Sequence, residues 1–285
     1  MHNPLKNLES LVTRFAFNLR VRSFILSQVA LFSLLFSITG YAYFPFITDD
    51  TGTQGEGGNQ LELNYVFTKE RGVGVAEDGT YYPGDYGTSN SFPATYTRGL
   101  TDDLDVFVGM IRQTSPTNGW MNSAIGFKWR FAGNPEEGWS FAIKPALLTP
   151  VSRNMEASGL GNGKTNGTVS LISSYIQPKY EVHLNARYTS NLSYSGAAEQ
   201  QAQHLWGVSV APVWVLNDQW KLGVDTGLDT NPNATSAQVA YAQIGAVYAP
   251  IKNVQLGLGL MGNRAIGSPS REYNWSIMSG ITWQF

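Results

Sequence analysis

Residues 274–285, N-W-S-I-M-S-G-I-T-W-Q-F, decide the fold. Every second residue of this stretch, including Trp275, Ile277 and Trp283, is apolar or small, and the residues between them are mostly polar or small. A period of two is typical of a β-strand with two different faces. In a soluble sandwich the apolar face needs a second sheet to cover it, whereas in an outer-membrane barrel it contacts lipid. The stretch therefore favours a transmembrane barrel.

The composition of the chain agrees with a surface that does not mainly face water. Only 14% of the 285 residues are charged and 13% are aromatic, whereas an ordinary soluble domain has about 25% charged residues. The chain has no cysteine, which excludes disulfides, thiolate nucleophiles and cysteine-bound metals. No basic run indicates nucleic acid, and we predict no cofactor and no metal site.

Residues 1–42 are predicted to be a secretory signal peptide. The first 22 residues contain Lys6, Arg14, Arg20 and Arg22 with a single acid, and an uncharged apolar run follows. The sequence G-Y-A at 40–42 has small residues at the two positions that a signal peptidase inspects, so we expect cleavage after Ala42. A membrane anchor is the alternative, but serines and a glutamine interrupt the run.

Residues 59–285 alternate between apolar and polar side chains in about twelve segments, which predicts an all-β, up-and-down antiparallel transmembrane barrel. Short links follow the even-numbered strands and long polar links follow the odd-numbered ones. This is the pattern of an up-and-down barrel whose first strand begins and whose last strand ends in the periplasm. Aromatic residues gather beside the short links and predict a girdle at one membrane interface, formed by Trp129, Phe131, Trp139, Trp214, Trp220, Tyr248 and Trp283. The final strand, with Ile281, Trp283 and Phe285, resembles the signal that the barrel-assembly machinery reads. That machinery and outer-membrane lipid are therefore the expected partners.

Residues 43–58, Y-F-P-F-I-T-D-D-T-G-T-Q-G-E-G-G, are too rich in Gly, Thr and Asp for a lipid-facing strand. They predict a loop or a plug in the periplasmic mouth of the barrel. In the plug hypothesis the carboxylates of Asp49 and Asp50 contact Lys128, Arg130 or Lys144. An exposed turn is the alternative.

The stretch P-F-I-T-D-D-T-G-T-Q-G at 45–55 resembles the opening of the MetA-pathway phenol-degradation family of bacterial outer-membrane proteins. Further similar stretches are 96–108 (Y-T-R-G-L-T-D-D-L-D-V-F-V), 125–131 (I-G-F-K-W-R-F), Lys144-Pro145 and 159–163 (G-L-G-N-G). The resemblance covers most of the mature chain. It implies a barrel and the uptake of hydrophobic or aromatic compounds, with the solute left open.

Strand parity predicts a sparse set of polar side chains that face the lumen. They are Glu62, Asn64, Lys128, Arg130, Lys144, Glu181, Asn185, Arg187 and Asp225. Both signs of charge occur, so the set could line a narrow selective pore or pair across the lumen as a structural network.

A catalytic site is the weakest hypothesis. His183 shares an inward face with Glu181 and Asn185 on the seventh predicted strand, and Ser209 lies on the eighth. No nucleophile elbow is present. Residues 101–105 (T-D-D-L-D) lack the spacing of a calcium loop and predict a capped turn. We therefore expect a channel or transporter, not an enzyme, for passive uptake of small apolar or aromatic solutes. The alternative is a structural or surface-interaction barrel with a closed lumen, whose long loops, such as 70–90 and 149–167, bind a partner.

Overall fold

The computed structural model describes residues 44–75, 81–161, 163–194, 203–230, 238–266 and 273–285. The predicted signal peptide lies outside these residues. Twelve long strands form the molecule: β1 Asn59–Val75, β2 Tyr81–Thr101, β3 Leu104–Ser115, β4 Ala124–Gly133, β5 Gly138–Leu148, β6 Lys164–Gln177, β7 Tyr180–Tyr194, β8 His204–Val215, β9 Trp220–Thr230, β10 Gln238–Ile251, β11 Val254–Ile266 and β12 Tyr273–Gln284. A two-residue strand, Gly119–Trp120, pairs with β3.

The sheet closes on itself. Each strand pairs antiparallel with its neighbours in sequence, and β1 pairs with β12 in a register that places Leu61 opposite Trp283. Beyond that ladder, the backbone N–H of Asn59 donates to the carbonyl of Phe285 at 2.9 Å, and the N–H of Phe285 donates back at 3.0 Å. A closed ladder leaves no strand edge, which a chain in hydrocarbon requires because lipid offers no hydrogen bonds. The predicted twelve-stranded barrel is confirmed.

The two faces of the strands have opposite chemistry, as the alternation predicts. Outward apolar side chains such as Ile125, Ile244 and Leu258 are about 60% exposed, whereas the inward Lys128 and Lys144 are 3% and 4% exposed. The shortest of the twelve strands, β4, has 10 residues, which is enough to cross a bilayer as a tilted strand. The exposed face is therefore an apolar belt, and the polar residues are enclosed by the ring.

The links alternate in length around the barrel. Those after the even-numbered strands, from β2 to β10, have two to four residues: 102–103, 134–137, 178–179, 216–219 and 252–253. The link after β5, by contrast, contains a short helix, α1 (Arg153–Ala157), whose N-cap residue Ser152 accepts a hydrogen bond from the N–H of Met155. Within the described part of the chain, no helix is both long and apolar enough to cross a membrane.

The predicted loop 70–90 is wrong. β1 continues to Val75 and β2 begins at Tyr81, so the two strands form a hairpin that extends well beyond the apolar belt. Outside lipid, strand pairing needs only backbone hydrogen bonds and no apolar face, so the alternation fades although the ladder continues. The predicted loop 149–167 is also shorter, because β6 begins at Lys164.

The predicted aromatic girdle is an outward band of ring contacts beside the short turns. Trp139 contacts Phe141 with 6.2 Å between ring centroids and Tyr175 with 5.0 Å. Farther round the barrel, Trp220 stacks on Tyr248 at 4.6 Å, and Trp283 contacts Phe285 at 4.4 Å. Amphipathic rings prefer the level where lipid meets water. The role of Phe285 in assembly stays a prediction.

A charge in the middle of the belt should destabilise the barrel. Ile244 lies outward near the centre of β10, opposite Val224 and Leu260. We expect Ile244→Arg to lower the free energy of unfolding from lipid vesicles by about 2–4 kcal/mol, measured by guanidinium titration. The control is Leu216→Arg, in the exposed turn after β8, where the same charge should cost at most about 1 kcal/mol. Equal losses at the two positions would contradict the assignment of the belt.

Candidate functional site

Residues 44–58, which precede β1, lie inside the barrel and follow its inner wall. Residues 44–46 contact the inner face of β9–β12, and residues 47–49 contact β7–β10. Thr51 contacts β5 and β6, and the backbone of Gln54 contacts β3. The segment returns at Gly57 and Gly58 to the end of β2. We call residues 44–58 the lumen segment. It makes almost one circuit of the wall before the chain enters β1.

Asp225 on β9 is the strongest single anchor of the lumen segment. Its carboxylate accepts hydrogen bonds from the backbone N–H of Ile47 at 2.6 Å and of Thr48 at 2.8 Å, and from the Thr48 hydroxyl at 2.7 Å. The Tyr241 hydroxyl donates to the same carboxylate at 3.0 Å. Asp225 is fully buried. Four donors around one carboxylate replace the water that burial removes, so this inward residue holds the segment in place.

Two aromatic side chains of the lumen segment fit where the wall has glycine. Phe46 is 1% exposed, and a Cβ added at Gly223 would lie 2.6 Å from its ring. A Cβ at Gly257 would lie 2.5 Å from the ring of Phe44. Real Cβ atoms essentially never lie so close to another atom, so a side chain at either position would push the ring away from the wall. Inward glycines on β9 and β11 were a signal that sequence reasoning could have used.

Asp49 lies between two buried lysines. Its carboxylate is 2.5 Å from Nζ of Lys144 and 3.5 Å from Nζ of Lys128, and Asp50 is 3.5 Å from Lys128. The amide of Asn185 holds the same residue by its backbone, accepting from the N–H of Asp49 at 2.9 Å and donating to its carbonyl at 2.8 Å. Burial alone would raise the pKa of the Asp49 carboxyl, but the charges of Lys128 and Lys144 outweigh it and hold that pKa below its ordinary value.

Arg130 does not contact Asp49 or Asp50, contrary to the expectation that it was one of their partners. Its Nη2 is 2.7 Å from the carboxylate of Asp103, in the turn after β2. Arg130 lies one inward position nearer the short turns than Lys128, so a turn residue reaches it first. The 101–105 stretch acts as a capped turn, in which the Thr101 hydroxyl accepts from the N–H of Asp103 at 3.2 Å. Asp105, which we did not single out, accepts from the backbone N–H of Gln54 at 3.1 Å.

The other residues predicted to line the lumen divide into paired and unpaired groups. Lys221 donates to Glu181 at 2.7 Å, and Arg187 pairs with Asp229. Both carboxylate oxygens of Glu62 are buried without a hydrogen-bond partner among the described residues, as is the amide oxygen of Asn64. Glu62 borders a cavity of about 10 Å³, which has room for about one water molecule. All nine predicted residues are on the inner wall.

The serine that meets His183 is Ser174 on β6, and not Ser209. Ser174 Oγ is 2.9 Å from Nδ1 of His183, whose Nε2 is 3.4 Å from Glu181. Ser209 Oγ instead lies 2.8 Å from the hydroxyl oxygen of Thr48. The two faces of β6 are nearly alike in sequence, so parity did not show which of its serines faces inward. Ser174 is fully buried and accepts from the N–H of Thr51 at 3.1 Å, so the lumen segment covers it.

A second apolar surface lies toward the long-loop end of the lumen. Phe107, Ile111, Ala146 and Leu148 on the strands pack with Met121, Ala124 and Leu160, and Met155 of α1 packs against them. The link after β5 thus folds inward over this side of the wall. The lumen is therefore polar around Asp49, and it is apolar around Phe107 and Leu160 and around Phe44 and Phe46.

Comparison with known proteins gives a fold and a family. Solved structures with a similar fold include an outer membrane channel from Pseudomonas putida F1, with a TM-score of 0.60 and 14% sequence identity over 83% of this chain and 98% of that one. The NanC porin gives a TM-score of 0.54 at 9% identity, covering 78% of this chain and 98% of that one. The KdgM porin, in a complex with disordered oligogalacturonate, gives 0.50 at 9% identity over 79% and 99% of the two chains.

Comparison of the sequence with known sequences and family models gives a more specific result than comparison of the folds. No curated protein matches the chain. A family model does match residues 53–279, which include most of the barrel and the last three residues of the opening stretch 45–55. This match extends over well more than half of the 285 residues. The chain therefore belongs to the outer-membrane barrel family described as "Putative MetA-pathway of phenol degradation".

Proposed function

We propose that the protein is an outer-membrane channel for passive uptake of small apolar or aromatic solutes, closed at rest by the lumen segment. The observation that carries the proposal is how the segment is held. Its contacts with the wall are hydrogen bonds, ion pairs and ring packing, among them those of Thr48 to Asp225 and of Asp49 to Lys144. These are separate, non-covalent contacts, so the segment can leave without breaking the barrel ladder. The segment acts as a removable plug.

The class of solute follows from the chemistry of the lumen. The apolar surface around Phe107 and Leu160 and the one around Phe44 and Met261 offer contact to an apolar molecule, as binding sites for small ligands usually do. The family description names phenol degradation, which agrees with an aromatic solute. A hydrophilic solute would have to displace the paired charges at Asp49 and Lys144, which are buried at rest.

A closed structural barrel is the second candidate. The burial of the lumen-facing charges favours it, because an open aqueous pore would expose Lys128 and Lys144 to water.

We also propose that the pair of Ser174 and His183 does not catalyse hydrolysis. The hydroxyl of Ser174 is fully buried and already accepts a hydrogen bond from Thr51, so it is not presented to a substrate. Lipid around the belt and the barrel-assembly machinery are the proposed partners.

Liposome swelling separates the channel from the closed barrel. Vesicles that contain the purified protein should admit small phenols faster than protein-free vesicles, and should admit sugars of similar size little faster than the control. We expect the conductance of the wild-type protein in planar bilayers to be small, because the lumen segment fills the polar part of the lumen. If neither aromatic solutes nor ions pass, even after removal of the segment, the closed-barrel function is correct.

A further inference from the structure

On the outward face of the strands, the charged side chains that the structure describes are all basic. Among strand positions whose side chains the structure describes, the charged residues that point away from the lumen are Lys69, Arg71, Arg98, Arg112 and Arg264. Carboxylates at the described strand positions, such as Glu62, Asp105, Glu181 and Asp225, point inward. The lumen combines both signs, as a paired network does, whereas the outward charged side chains that the structure describes on the strands are all basic.

Two of these cations flank one tyrosine at the long-loop rim. Arg71 on β1 and Arg264 on β11 are both in register with Tyr273 on β12, one on each side. Their backbones are thus two strand spacings apart, about 10 Å, and long arginine side chains can converge from that distance. Both arginines are exposed.

The surface below the two arginines combines an aromatic ring, an open space at a glycine and exposed apolar side chains. In the next row toward the belt, Trp275 lies between Lys69 and Gly262. The Trp275 ring contacts Phe67 with 5.5 Å between centroids, whereas nothing lies within 4 Å of the position that a Cβ on Gly262 would occupy. A notch at Gly262 therefore opens beneath Arg264. Farther down, Leu258, Leu260 and Ile277 are exposed apolar side chains of the belt.

We propose that Arg71 and Arg264 bind the phosphate groups of an anionic lipid in the outer leaflet, with its acyl chains on the apolar belt below Gly262. This site is on the outer wall, apart from the lumen, and it rests only on the membrane placement in the proposed function. Guanidinium groups form paired, charge-assisted hydrogen bonds with phosphate. Cations near a membrane surface attract anionic headgroups. The long-loop rim faces the outer leaflet, so the phosphate comes from a lipid and not from a solute in the lumen.

The test measures lipid binding by the full-length protein in neutral detergent micelles, by native mass spectrometry. The probes are diphosphoryl lipid A, the same lipid without its phosphates, and inorganic phosphate as a competitor. We expect diphosphoryl lipid A to bind and the dephosphorylated lipid to bind far more weakly. The double variant Arg71→Gln/Arg264→Gln should bind the phosphorylated lipid about 20-fold more weakly. Millimolar inorganic phosphate should not displace it.

The matched control is Arg98→Gln, which removes an outward arginine at the opposite rim, where Arg98 donates to Asn59 at 2.9 Å. This variant should keep the affinity of the wild-type protein. Unchanged binding by the double variant, an equal loss in Arg98→Gln, equal binding of the dephosphorylated lipid, or displacement by inorganic phosphate would each overturn the proposal. A heat-dependent shift in gel mobility checks that every variant is folded. The result is independent of conductance, because a barrel with a closed lumen would bind the lipid equally well.

Discussion

Deleting residues 43–58 while keeping residues 1–42, the predicted signal peptide, is expected to raise single-channel conductance in planar bilayers several-fold. The lumen segment occupies the polar part of the lumen, where Asp49 meets Lys128 and Lys144. Without the segment, the two lysines and the carboxylate of Asp225 line a water-filled path. A barrel of twelve strands is wider than the eight-stranded barrels whose side chains fill the interior. The open variant should therefore also lose its preference for apolar solutes.

A second variant separates loss of contacts from loss of chain. Replacing residues 43–58 by a Gly-Ser linker of equal length keeps the tether to β1 and removes the anchors to Asp225 and Asn185. We expect conductance near that of the deletion, with more flicker because the linker is mobile. If both variants conduct like the wild-type protein, the lumen segment does not close the channel.

Replacing Asp49 by alanine is expected to release the lumen segment almost as completely as the deletion does. Removing one partner of a buried ion pair costs about 3–5 kcal/mol. Here Lys144 would lose the carboxylate 2.5 Å away, and Lys128 would keep Asp50 but lose Asp49. Departure of the segment lets water reach the lysines, so the variant should open instead of unfolding. The measurement is single-channel conductance, with the unfolding midpoint as a check on the barrel.

Companion variants test the reason for this effect. Asp49→Asn should open the channel as Asp49→Ala does, because it removes the charge, and adding Lys144→Met to Asp49→Asn should partly restore closure. Asp218→Ala, in an exposed turn, should leave the conductance unchanged. Full closure in Asp49→Asn would contradict the role of the charge.

The lowered pKa of Asp49 also gives the response of the channel to acid. The ion pairs contribute fully to closure above the ordinary value of 3.8 and are lost as the pH falls through the lowered pKa. Closure should thus persist from neutral pH to about pH 4 and weaken below it.

Most of the barrel was predictable because lipid imposes a rule on each residue separately. An outward side chain must be apolar, so alternation along β4 or β12 reveals the strand without any knowledge of its neighbours. The requirement for apolar outward side chains applies only to strand residues that contact lipid. The hairpin of β1 and β2 continues to Val75 and Tyr81 in a region where either face can be polar, so its length could not be predicted from the pattern.

The inner wall was predictable in membership but not in pairing. Parity assigned Lys128, Arg130 and Lys144 to one face, but which carboxylate reaches each of them depends on the path of the lumen segment. That path is set by contacts between distant residues, such as Thr48 with Asp225. Ser174 was missed because serines and apolar residues alternate irregularly in β6, and the pairing with His183 depends on the β6–β7 register.

The route of the lumen segment has a consequence for the order of folding. Residues 47 and 48 are separated by more than 170 positions from Asp225, the carboxylate to which they bind. Contacts between residues so far apart in sequence form slowly, and this one needs β9 in place. We therefore expect the lumen segment to dock last, after strands that are synthesised long after it. Until then the lumen of the barrel is unfilled, and insertion of residues 44–58 is the expected final step of folding.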